Sequence, residues 1–216
     1  MPAGERIPND ESYRTVRTPV TAEQTIDKSR FIAWARPVFS PQDLERQMQE
    51  AQEAYPKARH YAYAYRLREG RQEKASDDGE PQGTGGRPVL DILQHYGLWN
   101  VHLIVIRYFG GVLLGTGGLT RAYGGTARLA LEKAEIVALA EHTLWRLRLG
   151  YSWYDSVKYG CQQKGWRIEE EMFEEDVKLT VAVLKTEGAR FEQWLAELAA
   201  GQIRCTPQED VWRNLG

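Results

Sequence analysis

The sequence predicts an α+β protein of two domains, and three features of the chain lead to that prediction. Residues 101–109 form an almost unbroken apolar run, which is typical of a strand buried on both faces. A glycine-rich segment that opens a helical pattern stands on each side of this run. Beyond residue 140 the strand and helix patterns follow the order βαββαβ, which is the ferredoxin-like arrangement. We therefore expect one domain at residues 12–139 and a second at residues 141–216.

The first half of the chain alternates strand and helix patterns. Residues 1–10 are polar, and we expect them to fray. Residues 68–76 are charged and are predicted to form a loop. Helices are predicted between Ser40 and Pro56, from Arg87 to Tyr96, and after Gly118. Strands are predicted at residues 13–20, 28–38, 60–67 and 101–109. This order favours one sheet with its helices gathered on one face.

The second half gives the remaining elements. Two helices are predicted, at residues 154–164 and 189–200, and the second has a clear apolar face. Strands are predicted at residues 143–149, 166–171, 177–185 and 202–206. The halves differ in charge, since residues 1–140 hold 18 basic against 17 acidic side chains and residues 141–216 hold 10 against 13. A nucleic-acid surface would therefore be a local patch, and we expect it on the first half.

The tetrapeptide GTGG occurs twice, at residues 83–86 and 115–118, each time before a predicted helix. Free amide N–H groups and the positive end of a helix dipole favour a phosphate or carboxylate there. Neither segment is a Walker loop or a dinucleotide fingerprint. The alternative is that the glycines only supply positive φ and close backbone contact. The residues assigned to an anion site are Gly83, Gly85, Gly86, Arg87, Gly110, Gly111, Gly115, Gly117, Gly118 and Arg121.

Three acids, Asp77, Asp78 and Glu80, precede the first GTGG segment. Close carboxylates can bind Mg²⁺ or share a proton, although Asp, Gly and Pro are also ordinary turn formers. Arg107 interrupts the apolar run at residues 101–109. Because a buried arginine needs a partner, we expect Asp78 or Glu80 to pair with it and to fix the acidic loop.

Two strand faces combine aromatic and basic groups. The alternation of residues 28–38 places basic and aromatic side chains together, and residues 60–67 carry three tyrosines on one face and alanines on the other. The alanine face suits close helix packing. The tyrosine face is either core or an exposed stacking platform for single-stranded nucleic acid. The residues assigned to RNA or ligand binding are Lys28, Arg30, Trp34, Arg36, Tyr61, Tyr63 and Tyr65.

Other classes of chemistry find little support in the sequence. Cys161 and Cys205 form no CxxC motif, which argues against a disulfide framework or a zinc site. The four histidines have no metal spacing, and no nucleophile elbow is present. We expect no cofactor, no metal and no catalytic constellation. The absence of a long apolar run predicts a cytoplasmic protein that does not cross a membrane.

A family resemblance rests on four segments: DDGEP at residues 77–81, GTGGRPVL at 83–90, VIRYFGGVLLGTGGLTRAYGG at 105–125 and KSRFIAWARPV at 28–38. Together they resemble the signature of the IMPACT family, in its two-domain, YigZ-like bacterial form, over about residues 15–139. The resemblance implies a first domain like domain IV of elongation factor G and the second domain of a small-subunit ribosomal protein. It implies a second domain like domain V of that factor. It brings no catalytic residues.

The function expected from these observations is that of a translation-factor-like binding module. Its ligand would be RNA, the ribosome or a protein that regulates translation. One alternative is an enzyme that acts on a phosphorylated or peptide substrate at the glycine-rich segments. A second is a protein-interaction adaptor that uses the acidic second half.

Overall fold

The computed structural model describes residues 12–215, so the expectation for residues 1–10 lies outside the described chain. The described residues divide into two compact units, residues 13–138 and residues 139–215 with residue 12. The helices are α1 (Pro41–Ala54), α2 (Gly86–His95), α3 (Gly115–Lys133), α4 (Tyr151–Lys164) and α5 (Gly188–Ala199). The strands are β1 (Ser12–Val16), β2 (Val20–Ile26), β3 (Ser29–Pro37), β4 (His60–Leu67), β5 (Gln72–Ser76), β6 (Val101–Tyr108), β7 (Ile136–Leu149), β8 (Arg167–Phe173), β9 (Val177–Leu184) and β10 (Arg204–Asn214).

The first unit is built on a five-stranded sheet in the order β2-β3-β6-β4-β5. All four pairs of neighbouring strands are antiparallel. The apolar run forms the central strand β6, in which every residue from Val101 to Arg107 is buried. The prediction of a strand buried on both faces is therefore confirmed.

The two faces of this sheet are covered by different helices. On one face, alanines such as Ala33 and Ala62 form a core with α2 and α3. Their small side chains let the helices approach closely, as expected. On the opposite face, Ile32 and Trp34 pack beneath α1 through Ala51. The expectation that all helices share one face was wrong, because the tyrosine face also carries large apolar side chains that need cover.

Two strands of the first unit were missed, for physical reasons. The strand predicted at residues 13–20 is split at residues 17–19, where Pro19 lacks an N–H for a ladder, and β2 follows. The charged loop predicted at residues 68–76 contains β5, an edge strand. Its side chains at Glu73 and Lys74 are exposed. Charged, polar side chains are typical of edge strands, and they hide the strand from a search for apolar alternation.

The second unit has the predicted βαββαβ order. Its sheet runs β10-β7-β9-β8 with antiparallel neighbours. Helices α4 and α5 cover one face through a core that includes Trp145, Val157, Cys161 and Phe191. Strand β7 begins earlier than predicted, and β10 extends beyond the predicted end. No helix in the described chain is both long and apolar enough to cross a membrane.

Candidate functional site

The first GTGG segment is already bound to a carboxylate of the same chain. Asp77 accepts hydrogen bonds from the backbone N–H groups of Gly83, Gly85 and Gly86 at 2.8, 2.9 and 2.9 Å. Burial opposes ionisation of Asp77, yet the three amide donors hold the pKa of its carboxyl below the ordinary value. These three amides at the start of α2 therefore donate to a carboxylate of the same chain, and they are not open to an external phosphate.

Close packing explains two of the same glycines. A Cβ atom added to Gly86 would lie 2.5 Å from the backbone of Ser76, and one added to Gly85 would lie 2.8 Å from Cβ of Ala62. No side chain fits at either distance. In the first segment, Gly85 and Gly86 therefore allow close packing, as the alternative interpretation of the glycines predicted. Arg87, assigned to the anion site, pairs instead with Asp91 at 2.8 Å on the exposed side of α2.

The second GTGG segment has a different environment. The sequence predicted that this tetrapeptide precedes the helix. Helix α3 instead begins at Gly115, so the tetrapeptide forms its first turn. Leu114 precedes the helix and supplies no side-chain hydrogen bond to it. No described side chain accepts a hydrogen bond from the amides of residues 115–118, and Gly115, Thr116 and Gly117 are exposed. The start of α3 is open where the start of α2 is filled.

Arg121 reaches back over this first turn. Its Nη1 atom lies 3.5 Å from the position that a Cβ on Gly117 would take. Gly117 does not have a positive φ, and the atom nearest to an added Cβ is that Nη1, at ordinary van der Waals distance. A side chain at this position therefore fits the backbone, because the residue lies inside a regular helix.

Residues 109–118, here named the α3 N-terminal segment, carry exposed apolar side chains and have basic residues from other parts of the chain beside them. Leu113 is 87% exposed and Phe109 is 39% exposed. The Arg59 guanidinium lies 5.5 Å from the ring centroid of Phe109. Gly110 packs so tightly on Lys28 that an added Cβ would lie 2.0 Å from its carbonyl carbon. Within the described chain, the exposed side chains of Lys28, Arg59 and Arg121 make no ion pair. The turns at Gly111 and Gly115 have positive φ.

The acidic loop holds a buried ion pair. Arg107 Nη1 donates to Glu80 Oε1 at 2.6 Å, and the two side chains are 6% and 3% exposed. The Tyr123 hydroxyl donates to the same oxygen at 2.8 Å, and burial raises the pKa of this phenol. The prediction that Arg107 pairs with an acid of this loop is confirmed, with Glu80 as the partner. Asp78 instead accepts from the backbone N–H of Tyr61 at 2.6 Å.

These contacts bear on the magnesium and acid–base alternatives. The carboxylates of Asp77, Asp78 and Glu80 are each bound to donors of their own unit. Residues 12–215 contain no group of three or more His, Cys, Asp and Glu side chains arranged for a metal ion. The acids therefore shape the loop between β5 and α2.

The predicted basic and aromatic face is only partly open. Trp34 is 6% exposed and contacts Tyr55, the residue directly after α1, edge to face. Arg36 lies 3.6 Å above the Trp34 ring, and Arg30 pairs with Glu23 at 2.6 Å. The hydroxyl of Tyr61 donates to the backbone oxygen of Tyr55. An open platform that includes Trp34 and Tyr61 was thus a wrong expectation, because α1 covers them. Half-buried Tyr63 and Tyr65 lie beside α1 and line a groove.

Sequence reasoning did not identify Asp77 as the ligand of the first glycine segment. The usable signal was an aspartate a few residues before a glycine-rich helix start that has no capping side chain of its own. It also assigned no role to Lys74 or His102, although both line the groove beside Tyr63 and Tyr65. Nothing in the strand alternation alone shows that a groove lies there.

The fold and this site define a two-domain α+β protein with an open, glycine-rich helix start in its first unit. Residues 27–131 match the Impact N-terminal domain, and residues 147–202 match a domain of unknown function, DUF1949. The chain belongs to the IMPACT family.

Several proteins resemble the chain over most of its length. An IMPACT family member from Haemophilus influenzae is 32% identical, with 88% of this chain and 94% of the relative covered. The IMPACT family member YigZ from Escherichia coli is 31% identical, over 93% of this chain and 100% of the relative. A solved structure described as a hypothetical protein is 31% identical and has a TM-score of 0.61. The match covers 92% of this chain and 98% of the chain in that structure. None of these names states an enzymatic activity.

Proposed function

We propose that this chain is a translation-factor-like binding protein whose first unit binds the phosphate backbone of RNA, free or in the ribosome. The binding site is the α3 N-terminal segment. The observation that carries the proposal is the contrast between the two GTGG helix starts. The chain places its own carboxylate on the first, which supports anion binding at a helix start of this kind, and leaves the second open beside Arg121.

The charges around the second start support the same ligand. Helix α3 has 19 residues, and its dipole places partial positive charge at Gly115. Arg121 lies over the first turn of α3, Arg59 lies beside Phe109, and the Lys28 backbone packs on Gly110. These three exposed side chains have no ion-pair partner in the described chain. A chain with a net charge of −2 has no general attraction for polyanions, so a local group of unpaired cations is significant.

The apolar side chains of the segment suit a single-stranded or looped RNA. Phe109 is a partly exposed aromatic ring beside the Arg59 guanidinium, and an aromatic ring with a cation is the combination that stacks bases and holds phosphates. Stacking on one ring contributes about 1–3 kcal/mol per base. The positive-φ turns at Gly111 and Gly115 let the backbone approach a phosphate closely. The resemblance to domain IV of elongation factor G leads to the same expectation.

The proposal is tested with a mixed-sequence single-stranded RNA oligonucleotide and two acidic variants. Thr116→Asp adds a carboxylate to the first turn of α3, where it stabilises the helix and repels a phosphate. Gln52→Glu adds the same charge on exposed α1 and serves as the matched control. We expect Thr116→Asp to weaken RNA binding by about tenfold or more with no loss of stability, and Gln52→Glu to bind as the parent does. Equal affinities of the two variants would contradict the proposal.

A protein partner for the second unit is a second candidate function, and one surface favours it. Phe173 of β8 and Tyr151 of α4 are 54% and 55% exposed, and their rings stack with 6.4 Å between centroids. Exposed apolar side chains gathered at one place often mark a binding surface. Co-sedimentation with purified ribosomal subunits tests whether that partner belongs to the ribosome, since Phe173→Ser should then reduce sedimentation and leave oligonucleotide affinity unchanged. Unchanged sedimentation would exclude this surface from ribosome binding.

A further inference from the structure

The exposed face of helix α3 continues the α3 N-terminal segment along the helix axis. Among residues 117–128, only Gly117, Thr120, Arg121 and Arg128 are exposed, and the others are buried or half-buried. Arg121 and Arg128 are seven residues apart, so their side chains leave the helix in directions that differ by only about 20°. Their Cα atoms lie about 10.5 Å apart along the axis. These four exposed residues are here named the α3 basic strip.

The α3 basic strip has a net positive charge. Neither Arg121 nor Arg128 has an ion-pair partner in the part of the chain that the structure describes. The helix contains no acidic residue before Glu132, which lies one turn beyond Arg128. On the neighbouring elements, Asp91 of α2 and Glu23 of β2 each pair with another arginine. The two arginines of the strip therefore remain available to an external anion.

Glycines keep the surface between the two arginines low. An added Cβ on Gly124 would lie 3.5 Å from Pro88 of α2, and one on Gly125 would lie 3.5 Å from the Gln24 side chain of β2. Ordinary side chains at these positions would crowd the flanks of the helix. Because glycines stand there, no long side chain other than the two arginines rises from this face, and an extended ligand has room to follow it.

The strip favours recognition of a phosphate backbone over recognition of bases. Residues 115–131 contain no Asn, Gln, Asp or Glu, which are the side chains that read the edges of adenine and cytosine. The Thr120 hydroxyl donates to the backbone oxygen of Thr116 at 3.0 Å, so its proton is already used. Arginine binds guanine or phosphate oxygens through two hydrogen bonds. Phosphates repeat at every nucleotide, whereas guanine does not, so two arginines at a fixed spacing match the backbone.

We propose that an RNA strand bound at the start of α3 continues along the α3 basic strip, where Arg128 binds a second phosphate. A stacked strand carries one phosphate about every 3.4 Å along its axis, so the two arginines contact phosphates about three nucleotides apart. The ligand is therefore a strand of at least about four nucleotides, bound at this helix without regard to base sequence. This inference rests on the proposed function, because it extends the same site to a new residue.

The test compares hexauridine RNA with the dinucleotide UpU, using the full-length protein. Amide ¹⁵N and ¹H shifts of residues 115–117 report binding at the start of α3, and the slope of log K against log salt concentration counts phosphate contacts. The dinucleotide is too short to span the roughly 20 Å from Gly115 to Arg128. We therefore expect Arg128→Ala to leave UpU binding unchanged, to weaken hexauridine binding by about tenfold and to reduce the hexauridine slope by about one.

Two further variants separate the position of Arg128 from its charge. Arg128→Lys keeps the charge and should retain the parent slope. Lys133→Ala removes an exposed charge of the same helix, about 140° around the axis from Arg128, and should also retain the parent slope. Hexaadenosine should respond to Arg128→Ala as hexauridine does, because the contact is to the backbone.

The outcomes distinguish this inference from the proposed function. If Arg121→Ala reduces the slope and Arg128→Ala does not, the path along α3 is overturned and the site at the start of α3 stands. An effect of Arg128→Ala that appears only with RNA containing guanine would overturn it in favour of base recognition. Weakened UpU binding by Arg128→Ala would place the effect at the helix start and would also overturn it. Parent slopes for both variants would contradict the inference and the proposed function together.

Discussion

Arg107 and Glu80 form a buried ion pair at 2.6 Å that joins the central strand to the acidic loop before α2. Tyr123 of α3 donates to the same carboxylate oxygen, so one acid connects three elements of the first unit. The ion pair thus explains why the DDGEP segment carries Glu80 and why an otherwise apolar strand carries an arginine. It places the loop that carries Asp77 at the start of α2.

The first prediction concerns this pair. Glu80→Ala should lower the free energy of unfolding by about 3–5 kcal/mol, because it leaves the Arg107 charge buried without a partner. The double variant Glu80→Leu with Arg107→Met should lose much less. Urea unfolding measures both. As a control, Glu23→Ala breaks the exposed pair with Arg30 and should cost about 0–1 kcal/mol. If the double variant were less stable than Glu80→Ala, the ion pair would stabilise the folded state more than apolar side chains at the two positions do, which would contradict this prediction.

A second prediction follows from the carboxylate on the first GTGG segment. Asp77→Ala leaves three amides at the start of α2 without their acceptor, and we expect a loss of about 2 kcal/mol. Asp91→Ala removes an exposed pair on the same helix and should cost less than about 0.5 kcal/mol. Thermal unfolding of both variants checks this. Equal losses would mean that the amides find other partners.

Two glycines in neighbouring segments should respond in opposite directions to the same substitution. Gly110→Ala should destabilise strongly, because the new Cβ would meet the Lys28 backbone at 2.0 Å. Gly117→Ala has room inside α3 and should gain up to about 1 kcal/mol from helix propensity. Denaturant midpoints of the two variants decide this. A stable Gly110→Ala variant would contradict the tight approach.

Stability should fall as the pH drops from about 6.5 to 4, because of His102. The folded pKa of about 4 lies below the unfolded value of 6.5, so only the unfolded state gains a proton in this window. The contribution of neutral His102 is complete above pH 6.5, and about 2–3 kcal/mol is lost by pH 4. His102→Gln should flatten this slope, whereas His95→Gln at an exposed site should not. Parallel slopes for the parent and His102→Gln would refute the assignment.

The elements with a strong local signal were predictable. The apolar β6 run, the Ser40 cap of α1 and the βαββαβ order after residue 140 each follow from a pattern of neighbours in sequence. Edge strand β5 was not predictable from alternation, since its side chains face water. The coverage of Trp34 by α1 and the capping by Asp77 depend on tertiary contacts that no local pattern contains.

The sequence also could not separate the two GTGG segments. Both are identical tetrapeptides at helix starts, and their chemistry differs only through what lies beside them. The first receives Asp77 from the end of β5, while the second is exposed next to Arg121. The pairing of Arg107 with a DDGEP acid was predictable, because a buried arginine requires a partner. The choice of Glu80 over Asp78 was not, since it depends on the turn geometry.

The most direct test of the central claim is a salt titration of RNA binding by the parent, Arg121→Ala and Arg87→Ala. Each arginine lies in the first two turns of a helix that begins within a GTGG segment, and only Arg121 lies at the open start. If Arg121 contacts a phosphate, its removal should reduce the slope of log K against log salt concentration by about one, while Arg87→Ala keeps the parent slope. Identical slopes for all three proteins would contradict phosphate binding at the start of α3.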